Sequence, residues 1–167
     1  MISSKKSCPI PFDQQPLNEY ISLKQSWLFA WSLSSRTLFV SVLCFLFLFI
    51  VPSTSILFFL LKISQHFYVI LLFNFFISNM FLFFALIRIY LGWSYVLKRL
   101  LSAIVFYEES GWYDGQIWIK TSDYLMQDRL IGLYEIMPFI VRIKYTFLFV
   151  LLNFIFISIL KFLLYNG

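Results

Sequence analysis

A single histidine and two cysteines are all the imidazole and thiol ligands that this chain of 167 residues offers. His66 has no second imidazole to work with and Cys8 has no second cysteine at metal-binding spacing, so neither a metal nor a cofactor site is expected. Cys8 lies in a polar tail and Cys44 inside an apolar run, and a bridge between them would draw the tail into a bilayer. Prolines beside Cys8 favour an extended chain with no packed neighbours, which leaves its thiol unactivated. Charge is scarce as well: 13% of residues are Asp, Glu, Lys or Arg, against about a quarter in soluble domains. With 61% hydrophobic residues, a small globule could not clothe its outside in polar groups. Glycine and proline number five each and alanine is scarce, whereas Phe alone reaches 22, the bias of an AT-rich gene in an organelle or reduced genome.

What is present is long apolar runs. Thr37 to Leu61 holds no charged residue and exceeds the roughly 20 residues that cross about 30 Å of hydrocarbon, so it is expected to span with tilt. Pro52 should kink it, with the hydroxyls of Ser53, Thr54 and Ser55 satisfying the backbone group that proline releases. The run starts far from Met1 and no small-residue cleavage site follows, so a cleaved signal peptide is not expected. Lys62 to His66 connect to a second span, Phe67 to Ile87, whose Asn74 and Asn79 should face another helix rather than lipid. A third, Tyr145 to Leu164, carries Asn153 at its middle and Lys161 near enough to its end to snorkel.

The formal net charge of +5 fits anionic headgroups better than nucleic acid, because the basic residues flank apolar spans and form no solvated stripe. Lys5, Lys6, Lys24 and Arg36 share a side with Arg88, Lys98, Arg99, Lys120, Arg129, Arg142 and Lys144, leaving Lys62 and Lys161 opposite. Basic flanks stay where synthesis occurs, so the N-terminus and residues 88–144 are expected in the cytoplasm or stroma and the C-terminus in the lumen or periplasm.

In the tail, residues 1–36, Pro16 suits a first helical position, and Leu17, Tyr20, Ile21, Lys24, Leu28 and Trp31 recur at helical spacing. This predicts an interfacial helix with Trp27 and Trp31 at headgroup level. Beyond the second span, helix should continue through Ile89 to Ser102 along the membrane surface. Ile104 to Glu108 and Gln116 to Lys120 read as a hairpin with Asp114 and Gly115 in its turn. Thr121 or Ser122 should cap a surface helix that breaks near Pro138, with Asp128, Arg129 and Glu135 on a solvated face. The fold class is therefore an all-α integral membrane protein. It has three transmembrane helices (37–61, 67–87 and 145–164), an N-terminal interfacial helix, and a short hairpin with surface helices between spans two and three.

The most unusual stretch runs Tyr107, Glu108, Glu109, Ser110, Gly111, Trp112, Tyr113, Asp114, Gly115, Gln116. Adjacent strand residues point to opposite faces, so Glu108 and Glu109 do not form an acid and base pair. A tight turn resting at the lipid surface and a docking surface for a protein, lipid or pigment both fit it. Aromatic residues give large contact area for little entropy.

Four motifs carry a family resemblance. Cys8, Pro9, Ile10 and Pro11 precede Gln14, Gln15, Pro16, Leu17, Asn18, Glu19 and Tyr20. Then come Tyr90-Leu91-Gly92-Trp93-Ser94-Tyr95, the stretch from Tyr107 to Gln116, and Asp128-Arg129-Leu130. Together they resemble the plastid hypothetical reading frame thirty-six family, whose nuclear-encoded relatives are called conserved in the green lineage and diatoms. The resemblance implies a plastid or cyanobacterial origin and a thylakoid membrane, and it brings no catalytic residue or cofactor to carry over. Nuclear-encoded members have a long transit region, whereas Met1 here lies just before the first motif, as expected of a gene kept in a plastid genome. The function expected is a non-enzymatic assembly, maintenance or acclimation factor for a photosynthetic complex. It would touch membrane lipids and another membrane or stromal protein, docking through the hairpin and the tail motif. The alternative is a small membrane enzyme or binding protein for a lipid, pigment or metal, using Glu108, Glu109 and Asp114.

Overall fold

A computed structural model describes residues 10–61, 67–108 and 115–166. The chain divides into two compact units, Met1–Ala30 with Gly92–Pro138, and Trp31–Leu91 with Phe139–Gly167. Three helical stretches are long and apolar enough to cross a bilayer: Arg36–Leu60, Phe67–Leu101 and Ser122–Leu163.

The second unit is helical. Helix α3 (Arg36–Leu60) follows two short helices, α1 (Pro16–Gln25) and α2 (Trp27–Ala30). It starts where the Ser35 hydroxyl accepts from the Leu38 N–H at 3.4 Å. The helix runs on through Pro52. The hydroxyls that follow do bond backbone, Ser53 and Thr54 to the Ile50 carbonyl and Ser55 to that of Val51. Proline deprives the carbonyl four residues back, that of Leu48, so the hydroxyls serve carbonyls other than the one expected.

Helix α4 (Phe67–Leu101) is one unbroken element of 35 residues, joining the expected second span to the expected helix after it. Asn74 and Asn79 are both buried, as helix-facing amides should be. Asn74 Nδ2 donates to Ser55 Oγ on α3 at 2.6 Å, and Asn79 Nδ2 turns back to the Phe75 carbonyl. Phenylalanines complete the helix contacts: Phe47 meets Phe75 at 5.4 Å between ring centroids, and Phe83 stacks on Phe147 at 4.9 Å. At the start of α3, Phe39 is fully buried, stacked on Trp31 and edge-on to Phe139. Arg142 lies over its ring and donates to the Ser34 carbonyl at 3.0 Å. Much of the remaining surface is large and apolar, including Phe45, Leu48, Phe49, Phe59, Phe149, Phe156 and Phe162, a surface that lipid suits and water does not.

The first unit contains α1, α2, the end of α4, and an antiparallel hairpin of β1 (Ile104–Glu108) and β2 (Gly115–Ile119), followed by α5 (Ser122–Ile131). The hairpin pairs Ile104 with Ile119, Phe106 with Ile117 and Glu108 with Gly115. Gly115 therefore opens a strand instead of sitting in the turn; residues 109–114, and with them the expected turn residue Asp114, lie outside the described part.

The expected break at Pro138 does not occur. A π-helical turn, Gly132–Ile136, leads from α5 straight into α6 (Met137–Asn166), with Met137 N–H donating to the carbonyl of Gly132, five residues back. The wider turn changes the hydrogen-bond phase just before the residue that has no N–H to give, and helical hydrogen bonding resumes from Met137.

Candidate functional site

The polar motifs meet in the first unit, and they meet as interior. Ile10 buries itself with Val105 and Tyr107, with Trp118 packed against them. Gln15 Nε2 donates to the Ile10 carbonyl at 3.2 Å, while Asn18 Nδ2 donates to the Phe12 carbonyl at 2.9 Å and to Gln15 Oε1 at 3.2 Å. Pro11 precedes the single 3₁₀ turn Phe12–Gln14, and Pro16 is buried at the first position of α1, where its missing N–H has no helical partner to lose. Cys8 and Pro9, the remaining members of the tail motif, lie outside the described residues.

Arg99, near the end of α4, ties three elements together. Its guanidinium bonds Glu19 of α1, donates to the Gln14 carbonyl at 2.9 Å, and donates to the Phe106 carbonyl of β1 at 3.3 Å. Burial pushes the Glu19 carboxyl above its ordinary value, against the lowering pull of Arg99. At the next residue of α1, the Tyr20 hydroxyl donates to Glu135 and accepts from Lys24 at 3.0 Å, and Lys24 lies 3.3 Å from Glu135. Burial raises the Tyr20 hydroxyl, and the bond to Tyr20 raises the Lys24 ammonium. The Tyr20 ring packs against Trp93, which also receives Phe29 edge-on.

Of the three charges expected on a solvated face, Arg129 and Glu135 are exposed, Glu135 while paired with Lys24, whereas Asp128 is not. Asp128 is buried and meets the fully covered Lys120 ammonium at 2.6 Å. Lys120 also donates to the carbonyls of Arg99 and Leu100, the end of α4 where a cation suits the helix dipole. In the sequence both Lys120 and Arg99 read as charges that set topology, with Lys120 also ending the second expected strand.

Of the stretch from Tyr107 to Gln116, Tyr107 is buried and donates from its hydroxyl to Gln116 Oε1 at 2.7 Å across the hairpin. Gly115 and Gln116 are exposed, and Glu108 ends β1. Glu109, Gly111, Trp112, Tyr113 and Asp114 lie outside the described residues. The other face of the hairpin is a second surface, one that hydropathy alone could not separate from the first: Ile104, Phe106, Ile117 and Ile119 are 44–69% exposed. Among the described residues, no three His, Cys, Asp or Glu side chains stand where they could hold a metal ion.

The residues so gathered belong to stretches that a known family shares. The family described as CGLD27-like, conserved in the green lineage and diatoms 27, matches residues 8–149. The chain belongs to the CGLD27-like family. It is 51% identical over 146 residues to the protein ycf36 of Porphyra purpurea, an alignment covering 83% of this chain and 85% of that one. The ycf36 protein of Cyanophora paradoxa is 46% identical over 83% of this chain and 88% of its own. The Arabidopsis thaliana protein named conserved in the green lineage and diatoms 27, chloroplastic, is 40% identical over 82% of this chain and 42% of its own. No solved structure gives a significant match. Every ion pair described above falls within the span matched to the CGLD27-like family.

Proposed function

We propose that this CGLD27-like chain is a non-enzymatic thylakoid membrane protein that docks onto a photosynthetic complex during its assembly, maintenance or acclimation. In this reading the N-terminus and residues 88–144 are stromal and the C-terminus is lumenal, in keeping with the placement of the basic residues. The observation that carries it is the two-sided hairpin. Its inner face is used within the first unit by Val105, Tyr107 and Trp118, while its outer face offers Ile104, Phe106, Ile117 and Ile119 as two cross-strand apolar pairs. A surface of that kind, held on a short two-stranded ribbon, suits a protein partner. The charged residues Glu19, Arg99, Lys24, Glu135, Lys120 and Asp128 are engaged in joining elements, which also favours a structural role over catalysis.

The test is isolation of tagged protein from its own membranes in mild detergent, comparing wild type with Phe106→Ser/Ile117→Ser and with Trp112→Ala/Tyr113→Ala. A protein partner that co-purifies with wild type and is lost from either variant supports docking; identical partner sets in all three sink it.

A second reading, a protein that holds a lipid or pigment, draws on a groove of about 730 Å³ among α3, α4 and α6, apolar but for Cys44, Asn79, Thr146 and Asn153. A small molecule that stays with the detergent-purified protein, with no protein partner, would favour it.

A further inference from the structure

A smaller groove of about 390 Å³ lies between α4 and α6, wholly within the second unit. Tyr90 and Lys144 supply its polar wall. Its apolar lining is Ile87 on α4 with Ile143, Phe147, Leu148 and Leu151 on α6. On α4 the two positions are three residues apart, and on α6 Lys144, Phe147, Leu148 and Leu151 recur at the three- and four-residue spacing of one face, with Ile143 beside them. From Lys144 to Leu151 the α6 wall descends about 10 Å into the third apolar run at about 1.5 Å per residue. The groove is thus cationic at one end and oily along the rest.

Lys144 is free to meet a ligand. It is exposed, and the ion pairs among the described residues use Lys24, Arg99 and Lys120 instead. Its neighbour Arg142 is directed to the Ser34 carbonyl and the Phe39 ring. Arg88 does not line the groove. One uncommitted ammonium therefore stands where the helix passes from polar to apolar sequence, the level of a headgroup.

We propose that this groove holds an anionic lipid, its headgroup at Lys144 and Tyr90 and one acyl chain along Phe147, Leu148 and Leu151. A neutral or zwitterionic lipid gains the apolar wall without a net charge for the ammonium to neutralise. Free phosphate gains the ammonium and nothing from the wall. Only a molecule with both parts satisfies both ends.

Native mass spectrometry of the full chain in mild detergent, titrated with phosphatidylglycerol or phosphatidylcholine, reads the affinity of the first lipid retained. Phosphatidylglycerol is expected to bind more tightly. Lys144→Gln should weaken it about fivefold, the equivalent of about 1 kcal/mol for one basic residue at a membrane surface, and leave phosphatidylcholine unchanged. Leu148→Trp, which fills the groove, should weaken both, with Leu151→Trp in its place if that variant does not fold; Lys161→Gln should weaken neither. Excess inorganic phosphate should displace nothing. Unchanged phosphatidylglycerol affinity in Lys144→Gln overturns the proposal. So does unchanged affinity in the groove-filling variant, which would mean charge acting on unbound annular lipid, or displacement by phosphate.

Discussion

The ammonium of Lys120 stands 2.6 Å from the carboxylate of Asp128, with its side chain wholly covered. It also reaches two carbonyls at the end of α4, so one side chain joins β2, α5 and α4. Breaking a buried pair from one side leaves a charge with neither water nor partner, a loss of about 3 to 5 kcal/mol. Lys120→Met should therefore destabilise the first unit on that scale. Lys120→Met/Asp128→Leu should recover most of the loss, because no charge is then stranded. Chemical unfolding in detergent, followed by tryptophan fluorescence, distinguishes the two.

That pair also marks where sequence reading stops. The three apolar runs were legible because a bilayer imposes length and composition on each run locally, and the strands were placed to within a residue at either end. Pairings such as Arg99 with Glu19, 80 residues apart, leave no local trace: either residue alone reads as an ordinary surface charge. Proline at 138 carried a strong local breaker signal, and a π turn two residues earlier cancelled it. In the hairpin, both faces are apolar, so alternation could not tell the packed residues from the exposed ones.

Arg99 is expected to control the tail. Lysine in its place can keep a charge near Glu19 but cannot also fork to the Gln14 and Phe106 carbonyls. Hydrogen bonds to charged groups contribute about 1.5 to 3 kcal/mol each, and each 1.4 kcal/mol of local stability is tenfold in opening. Arg99→Ala should therefore speed protease cleavage or amide exchange across residues 10–25 by roughly tenfold or more. It should also make the tail more sensitive to pH. Burial already holds the Glu19 carboxyl above its ordinary value of 4.5. A raised carboxyl gives stability that is present below the unfolded value and lost as pH rises through the folded one. The variant's tail should then be better protected in acid than at neutral pH; greater protection at neutral pH would contradict this account of Glu19.

Gly92 gives a steric test of the same tail. A Cβ built there would lie 2.6 Å from Cε1 of Phe29, a ring itself buried edge-on against Trp93. Gly92→Ala gains up to about 1 kcal/mol of helix propensity and loses about 1 to 3 kcal/mol to overpacking. The net expectation is a lower thermal midpoint. Phe29→Leu removes the ring edge, so the double variant should lie above the sum of the two single changes, a coupling that a thermal denaturation cycle measures directly.

The hairpin separates stability from docking. Val105 is 2% exposed in the cluster with Ile10 and Tyr107, whereas its chain neighbour Phe106 is 69% exposed. Val105→Ser should lower stability by about 2 to 4 kcal/mol, through lost burial and an added hydroxyl in an apolar contact. Phe106→Ser should stay within about 0.5 kcal/mol of wild type, since it removes only exposed apolar area. Under the proposed function the partner assay reverses that order: Phe106→Ser loses the co-purifying protein while remaining folded. If Phe106→Ser were instead as destabilising as Val105→Ser, the outer face would be part of the protein's own packing and could not be the surface offered to a partner.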